Sequence, residues 1–281
     1  MTVAIVTDSG SDLTPQELAE ADVRQVSLSV SFGEEIFLSP DECSPAAFWE
    51  RMQAPDSPFA HTAAPSVGQF KEAFDKAFAE GHDAVVCVCL SSELSSTIKH
   101  AQMARELLAT QQIFILDSKN ASAGVGALAI RGATMARAGA TGAEIHAKLA
   151  ELAAREDLFC ALDTLEYLRK GGRIGSARAV IGGLLAVKPI LTVEDGLVIV
   201  TDQPRTRSRA MERVLELLTD RPAAELHLLY SPPMDIEAFR DLVVGRMPEP
   251  APKLVTMRMI GPVIGAHVGP GAFGAVLIRE D

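Results

Sequence analysis

The chain has 281 residues, 48% of them hydrophobic and 22% charged, which excludes the disordered and fibrous classes and fits a folded globular protein. Its formal net charge of −11 argues against nucleic acid as a partner, because phosphate affinity is carried by Lys and Arg. No apolar run reaches the ~18 residues that a membrane span needs; the start Met1-Thr-Val-Ala-Ile-Val-Thr-Asp8 reads as a first strand without the basic start or cleavage site of a signal peptide, so a cytoplasmic protein is expected.

Taken in chain order, short apolar runs at 3–7, 25–29, 84–90 and 113–116 predict strands. Segments 14–20, 65–80, 95–110 and 120–138 have the spacing and composition of helices. Such alternation predicts a parallel sheet covered by helices. In that architecture, loops at the carboxyl ends of the strands form the binding crevice. Three segments stand there: Thr7-Asp8-Ser9-Gly10-Ser11-Asp12, Ser91-Ser92-Glu93-Leu94-Ser95-Ser96-Thr97 and Asp117-Ser118-Lys119-Asn120.

The pattern changes after about residue 157. Strands are predicted at 158–162, 189–193, 197–201, 225–229, 253–257 and 274–278, with helices at 206–218 and 235–244. Asp195-Gly196 between two β-rich runs predicts a tight hairpin. The expected organisation is an N-terminal α/β domain over 1–157 and a C-terminal mixed α+β domain over 158–281. Cys43, Cys87, Cys89 and Cys160 lack C-x-x-C spacing and are expected as buried, reduced thiols, Cys87 and Cys89 on one strand face.

Several enzyme signatures fail on inspection. Gly269-Pro-Gly271-Ala-Phe-Gly274 matches G-x-G-x-x-G but precedes an apolar run instead of opening a helix after a strand. There is no phosphate loop, no H-E-x-x-H and no ligand-like spacing among the six histidines, so neither metal nor cofactor is expected. A G-x-S-x-G elbow is also missing, although Ser95 or Ser96 meeting His267 in space would make a serine hydrolase or acyltransferase.

The positive signals are three polar clusters among apolar neighbours. In His61-Thr62-Ala-Ala-Pro65-Ser66 the threonine hydroxyl either donates to an anion or caps the helix that Pro65 would open. Ser95 and Ser96 stand where a helix follows a strand; either they cap it or they and the free N–H groups receive a carboxylate. His267, within Gly261-Pro-Val-Ile-Gly-Ala-His267-Val-Gly-Pro-Gly271, is either a satisfied core imidazole or a ligand-binding one.

At these clusters the sequence resembles the DegV family, the fatty-acid-binding subunits of bacterial fatty acid kinase. The resemblance spans essentially the whole chain. It runs from Val6-Thr-Asp8-Ser9 through Thr62-Ala-Ala-Pro65-Ser66, Leu90-Ser-Ser-Glu-Leu94-Ser95-Ser96-Thr97 and Asp117-Ser118-Lys119. It continues with Tyr167-Leu-Arg-Lys-Gly171-Gly172-Arg173-Ile174, Leu184-Leu-Ala-Val-Lys188-Pro189-Ile190, Arg205-Thr206-Arg207 and Ile260-Gly-Pro262 to Gly271.

The resemblance implies two α/β domains enclosing one acyl chain of a long-chain fatty acid. Its carboxylate would be held by Thr62, Ser95 and His267, with Ser96 beside them. It implies a partner kinase that uses ATP to make the acyl phosphate, in the service of phospholipid metabolism. Arg173 and Arg205 match family arginines near the exposed head group or the docking surface, where Ala substitutions should spare lipid binding and impair transfer. The protein itself would be non-catalytic, with no transmembrane segment, though transient membrane-surface contact is compatible with its ligand. Where many members read Thr-Ser-Gln-Pro and Ser-Gly-x-Ser-Gly-Thr, this chain has Thr62-Ala63-Ala64-Pro65 and Ser92-Glu93-Leu94-Ser95-Ser96-Thr97. Expected tunnel walls are residues 181–185, Phe159, Ile260 and Val263.

Overall fold

The computed structural model describes residues 2–38, 42–108, 112–175 and 187–279. The first half is built on a four-stranded parallel sheet of β1 (Val3–Asp8), β2 (Val23–Val26), β6 (Ala84–Cys89) and β7 (Gln112–Asp117), in the order β2-β1-β6-β7. All six residues of β1 and of β6 are buried, the signature of a strand covered on both faces. Alternation divides them. Val3, Ile5, Val86 and Val88 pack with α5 (Ala123–Arg137) and α6 (Gly142–Ala153), whereas Val6, Val85, Cys87 and Cys89 pack with α3 (Val67–Ala79) and α4 (Thr97–Glu106). The sulfurs of Cys87 and Cys89 lie 3.6 Å apart on that face, and all four cysteines are free and buried.

Two corrections apply here. The run at 25–29 is not one strand: β2 ends at Val26 and β3 (Ser29–Phe32) starts a separate three-stranded antiparallel sheet with β4 (Glu35–Phe37) and β5 (Ala60–Ala63), in the order β4-β3-β5. These strands are three or four residues long, too short for periodicity to reveal. Pro65 does not open α3, because Ser66 is its cap: Ser66 Oγ accepts from the Gln69 amide at 3.2 Å and Gln69 reaches back. The helices α1 (Pro15–Ala21) and α2 (Pro45–Gln53) both start with proline after a Thr or Ser cap.

The second half holds a six-stranded mixed sheet of β8 (Glu156–Ala161), β9 (Ile190–Glu194), β10 (Leu197–Asp202), β11 (Glu225–Tyr230), β12 (Leu254–Met259) and β13 (Phe273–Ile278). Its order is β10-β9-β8-β13-β11-β12. The β9–β10 hairpin turns at Asp195 and Gly196, both with positive φ, as the tight turn requires. One face carries Ala161, Ile190, Leu226, Leu228 and Leu277 against α8 (Arg207–Leu218) and α9 (Ile236–Val244). The other face carries Leu158, Cys160, Leu191, Leu229 and Val276. It meets β3, α2, α7 (Glu166–Lys170) and α10 (Pro262–Val268), so this last core draws on both halves of the chain. Phe159 packs with the α8–α9 face and not with this one, which corrects its expected place as a tunnel wall. Residues two apart share a face, so Leu158 and Cys160 hold that role.

Candidate functional site

The contacts made by the inner face of the mixed sheet leave a cavity. The space between its walls is about 890 Å³, a figure that includes solvent-open volume. Its walls are mostly aliphatic, with Leu90, Leu94, Leu158, Leu191, Val198 and Ile260 among them; Thr62, Ser95, Ser122, Arg173, Thr192 and His267 are the polar lining. Val263 and Ile260, expected as walls, line it as well. Residues 181–185 lie outside the described residues.

Each polar group is delivered by a different element. Thr62 is on β5, paired with Val30 of β3. It does not cap a helix; its Oγ1 lies 2.9 Å from His267 Nε2 across 205 residues of sequence. His267 stands in the last turn of α10, a helix that the run of small residues did not predict. Pro262 occupies its first turn and Gly269, at φ +73, ends it. Ser95 stands in the loop after β6, where the amides of Leu94 and Ser95 both donate to the Ser91 carbonyl. Its Oγ lies 2.8 Å from Thr97 Oγ1. Arg173 follows α7 through Gly171 and Gly172; its guanidinium donates to the carbonyls of Leu94 at 3.0 Å and Gly171 at 2.7 Å.

The electrostatics of this end suit an anion. Burial, reinforced by the Arg173 and His61 charges, pushes His267 down to about 4, so the imidazole is neutral and offers one N–H donor at neutral pH. Its Nδ1 is buried without a partner among the described residues. Among the described residues Arg173 has no carboxylate partner, which leaves one positive charge beside two hydroxyls and a neutral imidazole. A ligand carboxylate would supply the missing counter-charge.

Sequence reasoning missed Gly171. A Cβ there would stand 2.3 Å from His267 Nδ1, so only glycine lets the ring lie against this turn and reach Thr62. The Gly171-Gly172 pair was the available signal. Two sequence-predicted residues are not brought in: Ser96 is exposed at the start of α4 with no side-chain cap bond, and Arg205 is exposed; neither lines the cavity. The nucleophile–base contact of a hydrolase is not formed, since Ser95 Oγ is engaged with Thr97 and His267 Nε2 with Thr62. No group of three or more His, Cys, Asp or Glu arranged to hold a metal occurs among the described residues.

Fold and cavity together define an α/β protein with a largely aliphatic pocket and an anion-complementary end. The chain belongs to the DegV family: a family model described as "Uncharacterised protein, DegV family" matches residues 2–280. A DegV domain-containing protein of Streptomyces coelicolor is 34% identical over 281 residues, covering 98% of each chain. Among solved structures, a fatty-acid-binding DegV family protein of Thermus thermophilus superposes with a TM-score of 0.90 at 28% identity, covering 100% of both chains. A stearic-acid-binding protein of Eubacterium ventriosum gives 0.87 at 27% identity, covering 99% of this chain and 98% of that one. Among the described residues no helix is long and apolar enough to cross a membrane.

Proposed function

We propose that this protein binds a long-chain fatty acid in the cavity, with the carboxylate at Thr62, Ser95, Arg173 and His267, and presents it to an ATP-dependent kinase that forms the acyl phosphate. The observation that carries the reading is a cavity with aliphatic walls whose polar groups include an arginine that has no carboxylate partner among the described residues. Relatives of the same fold bind fatty acids, which supports it.

The energetics fit. Burial of about fourteen methylenes at ~0.8 kcal/mol each gives roughly 11 kcal/mol before entropic costs. Each hydrogen bond to the charged carboxylate adds only about 1.5 to 3 kcal/mol. The tail sets affinity and the polar end sets orientation. Exposed Arg205 is left for the kinase or the phosphoryl group, whereas Arg173 belongs to the head group. We take the working units to be residues 1–157 and 158–281, acting in the cytoplasm with brief contact at a membrane surface to exchange lipid.

Mass spectrometry of denatured, purified protein tests the first half of this reading: a co-purified or added fatty acid should be recovered, and failure to hold palmitate or oleate would overturn it. Mixing the loaded protein with ATP and a cognate kinase should yield acyl phosphate and ADP. Binding without transfer, given a kinase active on another DegV protein, would leave a carrier. A serine-directed phosphonate that labelled Ser95 or Ser96 would restore the hydrolase reading.

A further inference from the structure

A second cavity adjoins the first. It encloses about 860 Å³, part of it open to solvent, and shares Leu28 and Val263 with the first as wall residues. Both side chains are buried and aliphatic, at 5% exposure each. Beyond them the second cavity continues with Val30, Phe37, Cys43 and Met259. Its polar lining is Ser9, Asp12, Thr14, Gln25 and Arg258: Asp12 Oδ2 accepts from Ser122 Oγ at 2.6 Å and Arg258 Nη1 donates to Glu17 Oε2 at 2.6 Å, while Asp12 Oδ1 and Arg258 Nε have no partner among the described residues.

We propose that Leu28 and Val263 form a gate between the two cavities, and that the distal end of a long acyl chain passes it to lie against Val30, Phe37, Cys43 and Met259, so that this protein selects long chains over short ones. The inference rests on the fatty-acid reading. Three features favour a tail over a separate ligand. The partition consists of aliphatic side chains, which change rotamer without breaking hydrogen bonds. The apolar flank is continuous with the walls of the first cavity through the two shared residues. Met259 is an unbranched side chain suited to moulding around a chain end. Each methylene that crosses the gate should strengthen binding about fourfold.

Each cavity carries its own thiol, Cys160 in the first and Cys43 in the second, and this separates the outcomes. Lipid-free protein is titrated with dodecanoic and eicosanoic acids, wild type beside Cys43→Trp. The bulky residue should leave the affinity for dodecanoic acid unchanged and lower that for eicosanoic acid at least tenfold. An unchanged preference would overturn the gate. Should Cys43→Trp bind neither acid, modification of the wild-type thiols by a small thiosulfonate, which forms a mixed disulfide and releases a sulfinate, decides. Both acids should slow modification of Cys160 and only eicosanoic acid that of Cys43; equal Cys43 rates with the two acids would overturn the proposal. Wild type that binds neither acid would instead sink the fatty-acid reading itself.

Discussion

The two sheets solve the same burial problem differently. The parallel sheet of β1, β2, β6 and β7 has helices on both faces, and its central strands are buried at every position. The mixed sheet has helices α8 and α9 on one face only. Its other face meets a patchwork of β3, α2, α7 and α10, elements from distant parts of the chain that do not form a regular helical layer over it. The difference teaches where the void comes from: interiors packed by regular ridges reach crystal-like density, and a face covered by irregular pieces leaves room for a ligand.

The sharpest way to break that comparison is to delete the same side chain in each region. Leu128, fully buried in α5 against the parallel sheet, should cost about 3 to 5 kcal/mol when replaced by Ala. Leu191→Ala, on the cavity wall, should cost about half as much, because one side of that leucine already lacks partner atoms. Denaturant unfolding measures both, and equal losses would show the cavity face to be packed like the rest.

Head-group variants act on binding without touching either core. Arg173→Ala should weaken fatty-acid binding by about 1.5 to 3 kcal/mol and leave binding of the matching fatty alcohol unchanged, and Thr62→Ala, Ser95→Ala and His267→Ala should each cost about 1 to 3 kcal/mol. Calorimetry with the acid and the alcohol distinguishes a lost charge contact from a damaged fold. Gly171→Ala should produce a loss like that of His267→Ala, since its new Cβ displaces the imidazole while φ −74 suits any residue. A variant binding as wild type would show that the ring does not need that position.

A pH slope probes the junction of the halves. Burial pushes Asp12 up to about 7 from the ordinary 3.8, so the folded state holds its proton more tightly than the unfolded one. The stability it contributes is present below pH 4 and is lost as pH rises towards 7. Asp12→Asn, which keeps an acceptor for Ser122, should flatten the curve by up to about 1.4 kcal/mol per pH unit in that window. His267, pushed down to about 4, works the opposite way, losing stability as pH falls from 6.5, and cancels in the difference between variant and wild type. Thermal melts from pH 4 to 8 read the slope.

Much of this was legible from neighbouring residues alone. The buried runs of β1 and β6, the amphipathic α8 and the Asp-Gly hairpin depend on local period and turn chemistry, which a linear sequence displays. The polar clusters around Thr62, Ser95 and His267 were visible as clusters too. Their convergence was not: whether Thr62 caps a helix or faces an imidazole 205 residues away is decided by how β5 and α10 pack. The same holds for Phe159 against Cys160, where a one-residue step of the pleat sends one ring to the helices and the other side chain to the cavity. Sequence determined the buried strands of the two larger sheets, several of the longer helices and the polar loops, because those follow from contacts within a few residues. Tertiary structure alone decided the void, the guanidinium beside it and the ring resting on Gly171, because each exists only where separate segments meet and fail to close.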